Sequence, residues 1–174
     1  NNTLAYNYIG ITPGGVSRPN SGDGIFIDGA PGNWIGDRTW PNSICGNLGV
    51  GIRVSGAGAA GNRILGNGIG VLGFSTNGVG NGGDGISISQ APGTLIGISD
   101  SNGFANVIGN NAGAGIFVSG AGASNTVILG NCVGTYGTAT IGNGFNGIHL
   151  VSVAGTAIGR SLASAIASPN VISG

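Results

Sequence analysis

Residues 81–88 read NGGDGISI, and four other segments repeat this pattern of Asn, three residues, Gly-Ile, any residue and an aliphatic residue. The copies are NSGDGIFI (20–27), NLGVGIRV (47–54), NAGAGIFV (111–118) and NGFNGIHL (143–150). In each copy the Ile and the aliphatic residue lie two positions apart, which is the period of a strand with one buried face. The pattern therefore predicts five equivalent strands, each opened by one member of an asparagine column: Asn20, Asn47, Asn81, Asn111 and Asn143.

Three columns of aliphatic residues run through the chain at regular spacing. The first is Ile25, Ile52, Ile86, Ile116 and Ile148, the second is Ile35, Ile64, Ile96, Ile128 and Ile158, and the third is Ile44, Ile69, Ile108, Val133 and Ile172. Short and long spacings alternate, so the repeat is a pair of turns: Gly24 and Gly85 lie 61 residues apart, and Gly51 and Gly115 lie 64 apart. Leu4 and Ile9 belong to a partial turn before the first complete one.

Three short apolar strands per turn, separated by Gly, Asn and Ser, predict an all-β fold, a parallel β-helix of about five full turns plus a partial one. Successive turns would stack about 4.8 Å apart, with the aliphatic columns facing inward. Glycine suits corners that need positive φ, and an asparagine repeated in every turn can bond to its copies above and below. A β-sandwich is the competing fold, but it does not require columns that repeat in register.

Composition excludes several classes of function. The 174 residues carry five Arg, five Asp, one His and a net charge of zero, with neither Lys nor Glu. So few cations cannot neutralise a row of phosphates, which argues against a nucleic-acid binder. No apolar run approaches 18 residues, so no membrane insertion is expected. Although Gly takes 40 positions, the aliphatic residues are periodic, which argues against disorder.

The runs GNGIG (66–70), GNGGDGISI (80–88) and NVIGNNAGAGIFVSGAGASNTVILGN (106–131) resemble the right-handed parallel β-helix repeats of secreted and surface-attached bacterial proteins. Those proteins belong to the broad pectate-lyase-like superfamily, and the resemblance extends over essentially the whole chain. It implies a right-handed coil, an extracellular or cell-surface location and carbohydrate as the commonest class of ligand. The superfamily contains lyases, hydrolases, phage tailspikes and non-catalytic surface proteins, so the resemblance selects no activity.

The five carboxylates do not predict a catalytic or metal site. Asp23 and Asp84 occupy the same position two turns apart, which is about 9.6 Å and the far limit for an inverting pair of carboxylates. The equivalent positions in other turns are Val50, Ala114 and Asn146, so a short polar side chain that supports the corner explains them better. Asp28, Asp37 and Asp100 form no ligand pattern. We expect no metal, no cofactor and no catalytic residue, which favours a protein that is not an enzyme.

One outward face is a candidate for ligand contact. Phe26, Arg53, Phe117 and His149 all hold the middle position of the first strand of a turn, as does Ser87, and alternation points them to solvent. Aromatic residues and arginine are favourable contact residues. A polysaccharide-binding face is one hypothesis, and the preferred alternative is that these are ordinary outward hydrophobic residues.

The cysteines and tryptophans receive structural interpretations. Cys45 follows inward Ile44 and Cys132 precedes inward Val133, so alternation places both thiols on the surface. They are separated by roughly 17 Å along the axis, too far for a disulfide, and both are expected to be free thiols. Trp34 and Trp40 bracket the second strand of a turn and are interpreted as local packing.

The preferred interpretation is a non-catalytic structural or adhesive segment of a secreted or cell-surface protein, a single β-helix domain over residues 1–174 within a longer repeat array. The alternatives are a carbohydrate-binding or carbohydrate-active β-helix whose catalytic part lies elsewhere, and a self-assembling extracellular filament subunit. Neither terminal turn has the polar, atypical sequence that closes a solenoid. The expected partners are therefore flanking repeats or a second copy stacked end to end, with polysaccharide as a further possibility.

Overall fold

The computed structural model describes residues 1–37, 39–97, 106–159 and 168–174. The regular secondary structure of these residues consists of strands two to four residues long and a single 3-10 turn at Ala121–Ala123; turns and connections make up the rest. Asp100, one of the five carboxylates weighed above, lies outside the described residues.

The chain folds as a right-handed parallel β-helix with three strands per turn. Sheet I contains β3 (Ile25–Asp28), β6 (Ile52–Ser55), β9 (Ile86–Ser89), β12 (Ile116–Ser119) and β17 (Ile148–Val151). Sheet II contains β1 (Thr3–Leu4), β4 (Trp34–Ile35), β7 (Arg63–Ile64), β10 (Leu95–Gly97), β13 (Val127–Leu129) and β18 (Ala157–Ile158). Sheet III contains β2 (Tyr8–Ile9), β5 (Asn42–Ile44), β8 (Asn67–Ile69), β11 (Val107–Ile108), β14 (Cys132–Val133) and β19 (Val171–Ile172). The predicted fold class is confirmed.

Each aliphatic column lies in register across its sheet, and every pairing within the three sheets is parallel. Ile86 pairs with Ile52 and Ile116, and Ile96 pairs with Ile64 and Ile128. In the central turns, the inward aliphatic side chains of the three columns have no exposed surface and form one continuous core. The last turn differs, since Ile148 is half-buried and Ile158 is 44% exposed. Burial in this core therefore depends on a neighbouring turn as well as on an inward direction.

The glycine that precedes the first strand of each turn is required by close packing, which differs from the expected reason. Gly85 has no positive φ. A Cβ built on it would lie 2.6 Å from the carbonyl oxygen of Gly115 and 2.7 Å from Cγ2 of Ile108. Only glycine lets the turns approach this closely. Positive φ does occur at other corners, for example at Gly36, where φ is 92°.

Asparagine ladders connect the turns inside the corners. In the predicted column, Nδ2 of each asparagine donates to Oδ1 of the next, at 2.8–2.9 Å, from Asn20 through to Asn143. A second ladder of six, which the sequence analysis missed, precedes sheet III: Asn7, Asn42, Asn67, Asn106, Asn131 and Asn170. A third, shorter ladder precedes sheet II: Asn2, Asn33 and Asn62. The sequence feature that marks the second and third ladders is an Asn two residues before the inward aliphatic residue of a strand.

The outer face of the central strands of sheet III is covered by the chain's own loops. Val107 points outward yet is only 1% exposed, because it packs with Val71 and Ile141 in a second small apolar cluster. A two-stranded antiparallel hairpin, β15 (Thr135–Tyr136) with β16 (Ala139–Thr140), lies against this side. Sheet I and the corners next to sheet II therefore provide the surfaces considered below.

Candidate functional site

The outward face of sheet I holds the predicted contact residues in the expected register. Along the sheet the order is Phe26, Arg53, Ser87, Phe117 and His149, each paired with the next. Ser87 at the centre is only 4% exposed, which differs from the exposed position expected for it. The structure therefore separates the face into two ends, with Phe26 and Arg53 at one and Phe117 and His149 at the other.

Arg53 is paired within the chain. Its Nε donates to Oδ2 of Asp23, and its Nη2 donates to Oδ1 at 3.2 Å. Oδ1 also accepts the backbone N–H of Val50 at 2.7 Å. The hydrogen bond from Arg53 lowers the pKa of the Asp23 carboxyl below its ordinary value of 3.8. The guanidinium thus holds the carboxylate of the preceding turn, and it is not the free contact group that alternation alone indicates.

This ion pair gives a pH-dependent contribution to stability. Because the folded pKa of Asp23 is depressed, the contribution is present above about pH 4 and is lost as the pH falls through the folded value. Since both side chains are partly exposed, we expect it to stay below about 1 kcal/mol. Asp23→Asn keeps an acceptor for Val50, so urea unfolding of this variant and the wild type from pH 7 to pH 2 isolates the charge. The difference should shrink to nothing at the acid end, and a difference independent of pH would contradict the assignment.

The other end of sheet I is an aromatic cluster. The rings of Phe117 and His149 have centroids 5.1 Å apart, and Phe145 adds a third ring 6.0 Å from His149. Phe145 is 66% exposed and was not singled out from the sequence, because it lies in a loop outside the strand alternation. The structure thus brings two predicted residues together with one missed residue, while Phe26 remains three strands away and 57% exposed.

Asp23, Asp37 and Asp84 each accept backbone N–H groups at a corner of the coil. Oδ1 of Asp84 accepts the backbone N–H of Ala114 at 2.8 Å, the same bond that Asp23 makes to Val50 one repeat earlier. Asp37 accepts the backbone N–H groups of Thr39 and Trp40. Within the described ranges, no group of three His, Cys, Asp or Glu side chains lies close enough to hold a metal ion. No described helix is long and apolar enough to cross a membrane.

Cys45 corrects the expected position of one thiol. Its side chain points away from the main core but has no exposed surface, and Sγ donates to the carbonyl oxygen of Val71 at 3.0 Å. Burial raises its pKa to about 12, so the thiol stays protonated and unreactive. Cys132 is half-buried, and burial raises its pKa as well. Both are free cysteines, and the loop around Val71 is what covers Cys45.

Both tryptophans make local contacts and also remain exposed. The guanidinium carbon of Arg63 lies 4.8 Å from the centre of the Trp34 ring, which is 44% exposed. Trp40 is 52% exposed and meets Tyr6 edge to face, with ring centroids 4.8 Å apart. Tyr8 continues this group, 6.3 Å from Tyr6. These three rings, Tyr6, Tyr8 and Trp40, are called the corner aromatic cluster below.

Comparison of the chain with protein-family models, with curated proteins and with solved structures gives no match. The fold assignment therefore rests on the three in-register parallel sheets of the chain itself.

Proposed function

We propose that this chain is a non-catalytic structural segment of a secreted or cell-surface protein, a stiff β-helical rod of the pectate-lyase-like type. The observation that carries the proposal is the double connection between turns. Each central turn is held to its neighbours by backbone bonding in three sheets and by asparagine ladders at the corners. Such stacking makes stability a sum over neighbouring turns, which suits an extended spacer.

The use of the carboxylates supports the same function. Inverting glycoside hydrolysis needs one carboxylic acid and one carboxylate on opposite sides of a bound sugar. Asp23 and Asp84 instead accept backbone N–H groups of the following turn, and Asp23 also binds Arg53. Each carboxylate oxygen that accepts a backbone N–H stabilises a corner and points toward the next turn of the β-helix.

The proposal predicts no turnover of polysaccharides. The purified chain, incubated with pectin, polygalacturonate, alginate, xylan and β-glucan with and without Ca²⁺, should release no new reducing ends or unsaturated products. Asp84→Asn, which keeps an acceptor for Ala114, serves as a matched control because it removes a carboxylate without removing the corner. Cleavage that is lost in Asp84→Asn or Asp23→Asn would overturn the proposal.

The proposed secreted or cell-surface location is tested by a separate experiment. An antibody raised against the folded chain should label intact source cells or the culture medium. Labelling that requires permeabilised cells would contradict a secreted or surface role and leave the result on turnover unaffected.

Carbohydrate binding without catalysis is a second candidate, favoured by the cluster of Phe117, His149 and Phe145. Phe117 and His149 are partly exposed neighbours on sheet I, and the exposed ring of Phe145, from the loop before β17, lies beside His149. Loss of polysaccharide binding in Phe117→Ala, with Phe26→Ala unchanged, would place the ligand at this end of the sheet.

A further inference from the structure

Tyr6 occupies a corner position that glycine occupies in two other turns. The segment Leu4-Ala5-Tyr6-Asn7 corresponds to Ile64-Leu65-Gly66-Asn67 and Ile128-Leu129-Gly130-Asn131. The correspondence is structural, because each segment leaves sheet II and ends on a member of the same asparagine ladder. The φ angles are 58° at Tyr6, 66° at Gly66 and 59° at Gly130.

This conformation is unfavourable for tyrosine. A bulky side chain in the left-handed region is an outlier, and such strain persists only where the surrounding structure enforces it. The other non-glycine residues with positive φ are Asn, Gln and Ser, which are smaller or polar. Strained residues concentrate at ligand sites, so an observed outlier is a reason to look for a function.

Packing does not account for the choice of Tyr6. Tyr6 is 57% exposed, and its ring meets those of Trp40, which is 52% exposed, and Tyr8, which is 40% exposed. Its backbone N–H donates to the carbonyl oxygen of Trp40 at 3.1 Å, a bond that glycine would make equally well. The tyrosine side chain thus adds little buried surface while it creates a group of three exposed rings over two turns.

The chemistry of this group points to one kind of ligand. The three rings offer apolar faces and edges, with two phenol hydroxyls and an indole N–H at their tips. The sequence of the two corners (5–8 and 36–41) contains one acidic and one basic residue, Asp37 and Arg38, so its net charge is zero. Arg38 lies outside the described residues, and Oδ1 of Asp37 already accepts two backbone N–H groups. A pyranose ring, with an apolar C–H face and a rim of hydroxyls, matches apolar rings that carry uncharged hydrogen-bonding tips.

We propose that the corner aromatic cluster, Tyr6, Tyr8 and Trp40, is a binding surface for the pyranose units of a neutral polysaccharide. It lies at the corner between sheets II and III, away from the outward face of sheet I. It adds a binding activity to the structural role and does not depend on that role.

The test uses Tyr6→Gly, because this variant restores the residue that the equivalent corners already carry. Binding of β-glucan, galactomannan and xylan is measured by affinity electrophoresis, beside polygalacturonate and alginate as acidic polymers. The wild type should bind at least one neutral polymer, and Tyr6→Gly and Trp40→Ala should each weaken that binding at least tenfold. Tyr136→Ala, which removes an exposed ring from the hairpin β15–β16, away from both candidate surfaces, is the matched control and should bind as the wild type does.

Two further readouts separate binding from folding. The thermal midpoint of Tyr6→Gly should equal or exceed that of the wild type, since the strain is removed and little packing is lost. In a Trp34→Phe background, Trp40 is the single tryptophan of the chain, and its fluorescence should change on addition of the bound neutral polymer.

Four outcomes would overturn the proposal. These are absence of binding to every neutral polymer, binding of acidic polymers alone, binding unchanged in both Tyr6→Gly and Trp40→Ala, and a thermal midpoint that falls in Tyr6→Gly. Self-association of the wild type that disappears in Tyr6→Gly, without sugar binding, would assign the surface to a second copy and likewise overturn it. None of these outcomes affects the cleavage test of the structural role.

Discussion

Replacing Ile64 by alanine is expected to lower the free energy of unfolding by about 2–5 kcal/mol, the range for truncating a fully buried isoleucine. Ile64 has no exposed surface and lies in sheet II between Ile35 and Ile96, which are equally buried. The neighbouring turns are held by backbone bonds on both sides, so they cannot collapse into the space left by the three lost carbons. Urea unfolding followed by circular dichroism measures the change.

Ile158→Ala is the matched control for this substitution. It removes the same atoms from the same column, but Ile158 is 44% exposed and pairs only with β13 among the described strands. The loss of stability should be clearly smaller, about 1 kcal/mol, because less apolar surface leaves water on folding. Equal effects at Ile64 and Ile158 would show that the columns are not packed as the structure has them.

Asn67→Ala should reduce stability by about 3 kcal/mol, at about 1 kcal/mol for each of the two amide N–H donors and for the one hydrogen bond that Oδ1 accepts. The amide of Asn67 is fully buried and donates to Oδ1 of Asn106 and to the carbonyl oxygens of Ile35 and Leu65. Its own Oδ1 accepts from Asn42. Removing the amide takes the side-chain donor away from three buried oxygens and takes an acceptor away from Nδ2 of Asn42, in a corner where the side chains of Asn42, Asn67 and Asn106 have no exposed surface. The same denaturation experiment measures the loss.

Two controls show what the buried amide contributes. Asn20→Ala removes the exposed end member of the neighbouring ladder, which has a single side-chain bond to that ladder, and should lower stability by less than about 1 kcal/mol. Asn67→Asp keeps the volume but replaces the donor with a second acceptor facing Asn106, so at neutral pH it should destabilise at least as much as alanine. If Asn67→Asp is tolerated, the ladder does not contribute as proposed.

The outward face of sheet I shows which contacts strand alternation can predict and which it cannot. Alternation placed Phe117 and His149 side by side correctly, since residues at the same position in stacked strands must be neighbours. It could not indicate that Arg53 binds Asp23, because that contact joins the middle of one strand to a corner of the turn before. Nor could it indicate that the exposed rings of Tyr6 and Trp40 meet, since they belong to corners of unequal length.

The sequence by itself determined the repetitive part of this protein: three inward columns, three strands per turn and the parallel stacking. A coil in which each turn packs on the last needs the same residue type at the same inner position, and that requirement appears in the sequence as a period. Only the tertiary structure decided the parts that do not repeat. The covering of Cys45 beneath Val71, the pairing of Arg53 and the left-handed corner at Tyr6 each depend on a single contact between distant residues. A contact that occurs in one turn only produces no repeated residue in the sequence, because no other turn needs a matching residue.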